Sequence, residues 1–141
     1  MAQRHLAVAL ALALAAASCG GGPVDPSENV TTTFSGTVQP LGFSDATHFT
    51  VSNLGEYTVT LTSLAPGNVF VGIGWGQWTG STCGLIAGQS NVVSTANIGR
   101  GVLAGQIFIK GEYCVAVFDA INFGAPPLTV AQNYAGQVSH P

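Results

Sequence analysis

The feature that most limits the fold of this chain is an alternation of apolar and small polar residues with a period of two. From Glu56 to Thr62 the sequence reads Glu-Tyr-Thr-Val-Thr-Leu-Thr, so that every second side chain is large and apolar. Successive side chains of a β-strand point to opposite faces, whereas a helix repeats about every 3.6 residues. The segment therefore predicts a half-buried strand with Tyr57, Val59 and Leu61 facing a core.

The same rhythm recurs along the chain, and turn-forming residues separate the runs. Further strands are predicted over residues 31–38, 48–51, 69–75, 92–98, 102–104, 107–109, 112–118, 128–130 and 134–138. Breaks fall at Pro40, Asn53–Gly55, Pro66–Gly67, Thr79–Gly80 and Gly124–Pro127. No window after the N-terminal leader has the pattern of an amphipathic helix. Strands spaced by roughly 8–12 residues with turns between them predict an all-β sandwich or barrel. Lys110-Gly111, between two of these runs, predicts a tight hairpin turn.

Charge is scarce, which excludes some classes of partner. Charged residues make up 6% of the chain, against about 25% in an average soluble domain. Beyond Cys19, Arg100 and Lys110 are the basic residues against six acids, a formal balance of −4. The absence of a basic patch argues against nucleic acid as a partner and against electrostatic docking on anionic lipid.

The N-terminus has the composition of an export signal. Met1–His5 carries one arginine, and Leu6–Ala17 is an uncharged apolar run of twelve residues. A bilayer span needs about 20 apolar residues, so this run fits the central region of a signal peptide instead. The following Ala-Ala-Ser-Cys sequence, ending at Cys19 and followed by Gly20, resembles the lipobox of bacterial lipoproteins. The resemblance implies that Cys19 carries a diacylglycerol and becomes the mature N-terminus.

An ordinary signal peptide, cut near Cys19 without lipidation, is the alternative. In lipoproteins, glycine rather than aspartate after the cysteine implies outer-membrane transport. We therefore predict a signal peptide over residues 1–18, a lipidated flexible tether over 19–29 and one β-domain over 30–141. The expected location is the cell envelope, at the outer membrane or in the periplasm.

The chain has three cysteines, and assigning Cys19 to lipid leaves Cys83 and Cys114. These two are predicted to form a disulfide in an oxidising compartment. The rival interpretations are two free thiols or a metal pair. Two cysteines 31 residues apart without a nearby histidine make a poor zinc site.

A second resemblance covers roughly residues 31–141. Gly111–Asp119 reads Gly-Glu-Tyr-Cys-Val-Ala-Val-Phe-Asp, and the chain closes with Val138–Pro141. Together with Phe49–Val51, Tyr57–Leu61 and the Pro66–Gly67 turn, these residues resemble bacterial pre-peptidase C-terminal domains. The resemblance implies a jelly-roll-like antiparallel β-sandwich of about eight to nine short strands. It also implies a non-catalytic role in binding or secretion, since such domains usually accompany secreted enzymes or belong to cell-surface proteins.

No constellation in the sequence predicts catalysis, a metal site or a cofactor. Gly80–Gly84 has the glycine spacing of a nucleophile elbow, but with Thr82 at its centre and no helix after it, so we interpret it as a turn. His48 is expected at a strand edge and His140 in a terminal strand or frayed tail. The acids that could bind calcium are scattered singly: Asp45, Glu56, Glu112 and Asp119. Asp119 is expected to cap the turn after its strand.

Glycines at positions 72, 74 and 76 fail the spacing of a nucleotide loop, and we expect them to be small residues between sheets. The best ligand candidates are the aromatic and amide residues Trp75, Gln77, Trp78 and Thr79. Along one strand, positions 75 and 78 face opposite sides. The favoured interpretation places Trp75 in the core and Trp78 on a loop or rim.

These observations predict a lipid-anchored, exported β-sandwich that acts as a non-catalytic binding or scaffold module. Its expected partners are the membrane, through the lipid, and an envelope protein or glycan. A carbohydrate-binding module using Trp75–Thr79 is the competing class, and a hydrolase is a third.

Overall fold

The computed structural model describes residues 22–141. The predicted signal peptide and the predicted lipidation site at Cys19 lie outside the described residues. Within residues 22–141, no helix is long and apolar enough to cross a bilayer. The described chain forms three short 3-10 helices and eight strands: β1 (Val30–Val38), β2 (Thr47–Val51), β3 (Gly55–Ala65), β4 (Phe70–Trp78), β5 (Cys83–Ser94), β6 (Gly101–Ile107), β7 (Gly111–Asp119) and β8 (Gln132–His140).

The strands form two antiparallel four-stranded sheets. One sheet has the order β1-β8-β3-β6 and the other has the order β2-β7-β4-β5. Consecutive strands alternate between the sheets, except that β4 and β5 are neighbours in the same sheet. This wrapping of the chain around two sheets is a jelly roll. The predicted fold class, an all-β jelly-roll-like sandwich of about eight to nine strands, is therefore confirmed, with eight strands in the described residues.

The predicted hairpin around Lys110-Gly111 is wrong. β6 pairs with β3 in the first sheet, whereas β7 pairs with β2 and β4 in the second. Residues 108–110 therefore connect the two sheets. Local alternation identifies two strands and a break, but a crossover and a hairpin share that pattern because only distant pairing distinguishes them.

Two other predicted strands differ from the structure. Residues 128–130 form no strand, and residues 129 and 130 are bends. Of the weak run at 92–98, residues 92–94 are the end of a longer strand, β5, which begins at Cys83, whereas Thr95–Asn97 form a 3-10 helix. Much of β5 lies at a sheet edge with a mixed pattern of exposed and half-buried residues. Such an edge does not require regular alternation, which explains why the sequence signal is weak.

The core lies between the sheets and follows the predicted parity. Tyr57, Val59 and Leu61 are all buried on the inner face of β3. Trp75 of β4 stacks on Tyr57, with ring centroids 3.9 Å apart, and Tyr113 of β7 packs against the same indole at 5.2 Å. These three aromatic rings fill one end of the core, where large apolar area is removed from water.

The glycines of β4 lie on its outer face, not between the sheets as predicted. A Cβ atom on Gly72 would lie 2.0 Å from a ring carbon of Phe118, and one on Gly74 would lie 2.9 Å from a methyl of Leu85. The missing side chains thus leave room for apolar groups of the neighbouring strands. The outer-facing ring of Phe118 lies in the space at Gly72 and packs against the rings of Phe43 and Phe123, so it is buried.

Cys83 and Cys114 form a disulfide with Cα atoms 5.8 Å apart, as predicted. Cys83 starts β5 and Cys114 lies in β7, and β4 runs between these strands. A Cβ atom on Gly76 would lie 2.5 Å from the carbonyl oxygen of Gly84, so β5 passes unusually close over β4 there. The absence of a side chain at position 76 allows this approach, which brings β5 within bridging distance of β7.

The strand register gives the sandwich two distinct ends. The end that we call the tether end holds residues 24–29, the connections 52–54, 79–82 and 108–110, and Pro141. The far end holds residues 39–46, 66–69, 95–100 and 120–131.

Part of the segment assigned to the tether contacts the tether end of the sandwich. The amide of Val24 donates to the carbonyl of Leu54 at 2.8 Å. The side-chain amide of Asn29 donates to the carbonyl of Glu56, also at 2.8 Å. Between these contacts, Pro26–Glu28 forms a 3-10 turn whose N-cap is Asp25. The chain therefore joins the sandwich from Val24 onward.

Candidate functional site

The predicted ligand segment does not form a single surface. Trp75 is buried in the core at 2% exposure, as the favoured interpretation expected. Trp78 points to the outer face of the second sheet and is partly exposed. Gln77 lines a groove between the two sheets. Thr79 lies in the turn after β4, where its hydroxyl is 2.8 Å from that of Thr82. The four side chains are thus divided among the core, two surfaces and a turn.

Trp78 lies beside a pocket on the outer face of the second sheet. The pocket has a volume of about 370 Å³, and its floor includes Ala116 and the disulfide cysteine Cys83. The residues that line it, besides Trp78, include Phe43, Ser44, Asp45, Ser81 and Thr82. We call this the Trp78 pocket. An indole in the same pocket as hydroxyl and carboxylate side chains offers both stacking and hydrogen bonds to a polar, ring-shaped ligand.

The orientation of Trp78 depends on a neighbouring histidine. The imidazole of His48 stacks on the indole with centroids 4.5 Å apart and planes 8° from parallel. His48 pairs with Cys114 across β2 and β7, and Gly76 pairs with the same Cys114 across β4 and β7. Trp78 follows two residues later on the same face of β4. The stack therefore fixes the indole across β7, next to the pocket.

A second concavity opens between the sheets at the tether end. It has a volume of about 310 Å³, and three glutamines line it: Gln77, Gln89 and Gln106. The buried rings of Tyr57 and Trp75 form its base, so we call it the glutamine groove. The hydroxyl of Tyr57 donates to Oε1 of Gln89. Burial raises the pKa of Tyr57 to about 12.

The two histidines of the domain do not converge on a common site. His48 is exposed on the outer face of edge strand β2, the strand-edge position expected from the sequence. His140 is buried on the inner face of β8, with Nε2 3.0 Å from the hydroxyl of Thr32 and its ring stacked on Phe49. Burial lowers the pKa of His140. Among residues 22–141, no group of three or more His, Cys, Asp or Glu side chains is placed to hold a metal.

Asp119 has a structural role that accounts for its burial. Its carboxylate accepts hydrogen bonds from the backbone N–H groups of Leu41 at 2.8 Å, Leu128 at 3.1 Å and Ile121 at 3.2 Å. The last bond caps the 3-10 turn Ala120–Phe123, as the sequence predicted. The same carboxylate therefore holds three loop segments together at the far end.

The other candidate acids serve separate surfaces. Asp45 lines the Trp78 pocket, whereas Glu56 is the second residue of β3 in the opposite sheet. Glu112 accepts a hydrogen bond from the hydroxyl of Thr50 at 2.6 Å. Thr82, at the centre of the Gly80–Gly84 motif, accepts a hydrogen bond at its carbonyl from the amide of Thr79 at 3.0 Å. The first three residues of the motif therefore lie in a turn, as predicted, whereas Cys83 and Gly84 begin β5.

Sequence reasoning missed the surfaces formed by connections. Phe108 is 75% exposed and Ile109 is 66% exposed in the crossover between β6 and β7. At the far end, Leu41 and Phe43 are also largely exposed. Two consecutive large apolar residues beside Lys110 were visible in the sequence, but assignment to a hairpin strand implied that one of them was buried.

The chain has been compared with known proteins. No protein-family model matches it, and no curated protein is similar enough to match it.

Proposed function

We propose that this protein is a lipid-anchored, exported β-sandwich of the pre-peptidase C-terminal type. It acts as a non-catalytic binding or scaffold module in the bacterial envelope, at the outer membrane or in the periplasm. The observation that carries the proposal is the pairing of Cys83 with Cys114. Disulfides persist in oxidising compartments, which supports export. The pairing also leaves Cys19 as the remaining cysteine, and Cys19 is the residue that follows Ala-Ala-Ser in the lipobox-like sequence.

The anchor fits the remaining features of the chain. A diacylglycerol supplies two acyl chains, which suffice for stable membrane attachment where one chain is marginal. The chain joins the sandwich at Val24, which is only five positions after Cys19. A low charge content and a formal balance of −4 leave little electrostatic attraction to anionic lipid, so attachment depends on the lipid.

The anchor is tested by expressing the full chain in a Gram-negative host fed with an alkyne-bearing fatty acid. We expect the native chain to incorporate the label and to partition into the detergent phase. Cys19→Ser should lose the label and remain in the aqueous phase of the periplasmic extract. Ser18→Ala is the matched control, because a small residue still precedes the cysteine, and it should retain the label. An unlabelled native chain would contradict the proposal.

Carbohydrate binding is the second candidate function, and the Trp78 pocket is the observation that favours it. The pocket combines a partly exposed indole with the hydroxyls of Ser44, Ser81 and Thr82 and the carboxylate of Asp45. Stacking of an aromatic face on a sugar ring, together with hydrogen bonds from its surroundings, is a mode of binding that this set of groups permits. The hypothesis that the protein binds a glycan thus depends on Trp78 and not on the whole Trp75–Thr79 segment.

Glycan binding is tested by sedimentation of the lipid-free domain with insoluble chitin, cellulose or peptidoglycan sacculi. Trp78→Ala should weaken binding by roughly tenfold or more, since stacking aromatics often dominate such contacts. Gln106→Ala is the matched control, because it lies in the glutamine groove in the other sheet. Equal binding by both variants would exclude the Trp78 pocket. Binding lost only in Gln106→Ala would move the site to the glutamine groove.

A further inference from the structure

We propose that the connection Phe108–Lys110 inserts into the membrane interface as a second contact beside the lipid anchor. This inference rests on the proposed lipidation of Cys19. Phe108 and Ile109 are consecutive, and 75% and 66% of their surfaces are exposed. An exposed pair of large apolar side chains at the end of a crossover is costly in water, and burial in the acyl boundary of a bilayer removes that cost.

We call the connection Phe108–Lys110 the tip. The place where the tether joins the domain directs the tip toward the bilayer. Val24 is bonded to Leu54, and a Cβ atom on Gly55 would lie 3.2 Å from a methyl of Val24. Gly55 pairs directly with Ile107, the residue before Phe108. Neighbouring strands lie about 4.8 Å apart, so the tip begins one strand away from the anchored segment.

The length of the tether limits how far this end can move from the membrane. Four residues lie between Cys19 and Val24. The five Cα–Cα steps from Cys19 to Val24 span at most about 18 Å when the chain is fully extended. A short tether keeps the local concentration of the tip at the bilayer high, so even a weak apolar contact is occupied. The exposed apolar residues Leu41 and Phe43 belong to the far end and point to no such contact.

Charges around the tip determine the type of membrane contact. Lys110 follows the apolar pair, and its stem and ammonium can reach the headgroup layer. The same end also carries four acids: Asp25, Glu28, Glu56 and Glu112. They oppose electrostatic binding to an anionic surface, so the contact is apolar. We therefore expect it to form on zwitterionic lipid and to be insensitive to salt.

The test uses the full lipidated chain, reconstituted into phosphatidylcholine vesicles whose acyl chains carry bromine. Phe108→Trp places a fluorescent reporter at the tip, and Phe43→Trp places one at the far end, where the side chain is 65% exposed. If the tip inserts to the acyl boundary, bromine should quench the fluorescence of the Phe108→Trp reporter about threefold more than that of the Phe43→Trp reporter. Adding Ile109→Ser to Phe108→Trp should reduce that quenching, and raising the salt concentration should leave it unchanged.

The possible results separate this inference from the proposed function. A chain whose mass shows no acyl groups on Cys19 overturns both. An acylated, vesicle-bound chain in which the Phe108→Trp reporter is quenched no more than the Phe43→Trp reporter overturns only the membrane contact. Quenching that disappears at high salt or requires anionic lipid would also contradict it. Insertion of about ten glycine and serine residues after Gly22 should lower the quenching, because it dilutes the tip at the surface.

Discussion

The imidazole of His48 covers one face of the Trp78 indole, with ring centroids 4.5 Å apart and an angle of 8° between the planes. The two residues belong to strands that do not touch, because β7 lies between β2 and β4. The stack therefore connects one edge of the sheet to the turn that follows β4. It leaves the rest of the indole beside the Trp78 pocket.

Replacement of His48 by alanine should expose the second face of Trp78. Trp75 is 2% exposed and contributes little to quenching by a water-soluble agent, so the quenchable emission comes mainly from Trp78. We expect the Stern–Volmer slope with acrylamide to rise roughly twofold, since one aromatic face of two is uncovered. Thr50→Ala, on the same face of β2, is the control and should leave the slope unchanged. An unchanged slope in His48→Ala would mean that the rings do not stack in solution.

Removal of the disulfide should lower stability without changing the fold. The bridge closes a loop with a sequence separation of 31. Loss of this cross-link is expected to cost roughly 3–4 kcal/mol through the entropy of the unfolded chain. Urea unfolding of the double variant Cys83→Ala/Cys114→Ala measures this difference against the oxidised protein. Treatment of the oxidised protein with reductant should reproduce it, and a midpoint unaffected by either change would contradict the bridge.

Substitution of Gly72 by alanine should destabilise the domain because the ring of Phe118 occupies the space of the new methyl group. The added Cβ atom would lie 2.0 Å from the ring. Overpacking of this kind costs about 1–3 kcal/mol in the free energy of unfolding. Gly84→Ala is the matched control, since its nearest neighbour is 3.6 Å away, and should change stability by less than about 0.5 kcal/mol.

A double-mutant cycle tests whether Phe118 is the cause. In a Phe118→Ala background the ring is absent, so the cost of Gly72→Ala should largely disappear. Costs that simply add would show that the glycine is required for another reason, such as the backbone of β4.

His140 should make stability depend on pH near neutrality. Burial lowers its pKa from the ordinary value of 6.5, so the unfolded chain takes up a proton more readily than the folded one. The resulting stability is present above 6.5 and is lost as the pH falls below it. Urea unfolding at about pH 7.5 and about pH 5.5 should show a smaller decrease for His140→Gln than for the native chain. Equal decreases would show that His140 does not contribute.

Sequence periodicity located most of the strands, although not the first part of β5, but it did not identify the strands with which they pair. Tyr57, Val59 and Leu61 face the core because strand parity is a local property, and the same parity placed Trp75 inside and Trp78 outside. β6 and β7 belong to different sheets, and the sheet that each one joins depends on pairing between residues far apart in the chain. For this reason the sequence predicted a hairpin where the structure has a crossover.

The candidate site was predictable only in part, for the same physical reason. Trp78 was identified from residue type and strand parity. Its contact with His48 arises from the register of three strands, which no short segment encodes. The Trp78 pocket likewise joins residues 43–46 to residues 78–83, and the disulfide next to it fixes that arrangement.

Val24 and Pro141 meet at one glycine: a Cβ atom on Gly55 would lie 3.2 Å from a side-chain carbon of each. A short linker could therefore join the two ends of the domain, and the exposed connection at Gly67 offers a place to open new ones at the opposite end. Such a circular permutant would keep the eight strands of the described residues, but a lipid on its new N-terminus would lie at the opposite end of the sandwich from the anchor proposed for Cys19. If the proposed anchor holds, this inverted protein would turn Leu41 rather than Phe108 toward the bilayer.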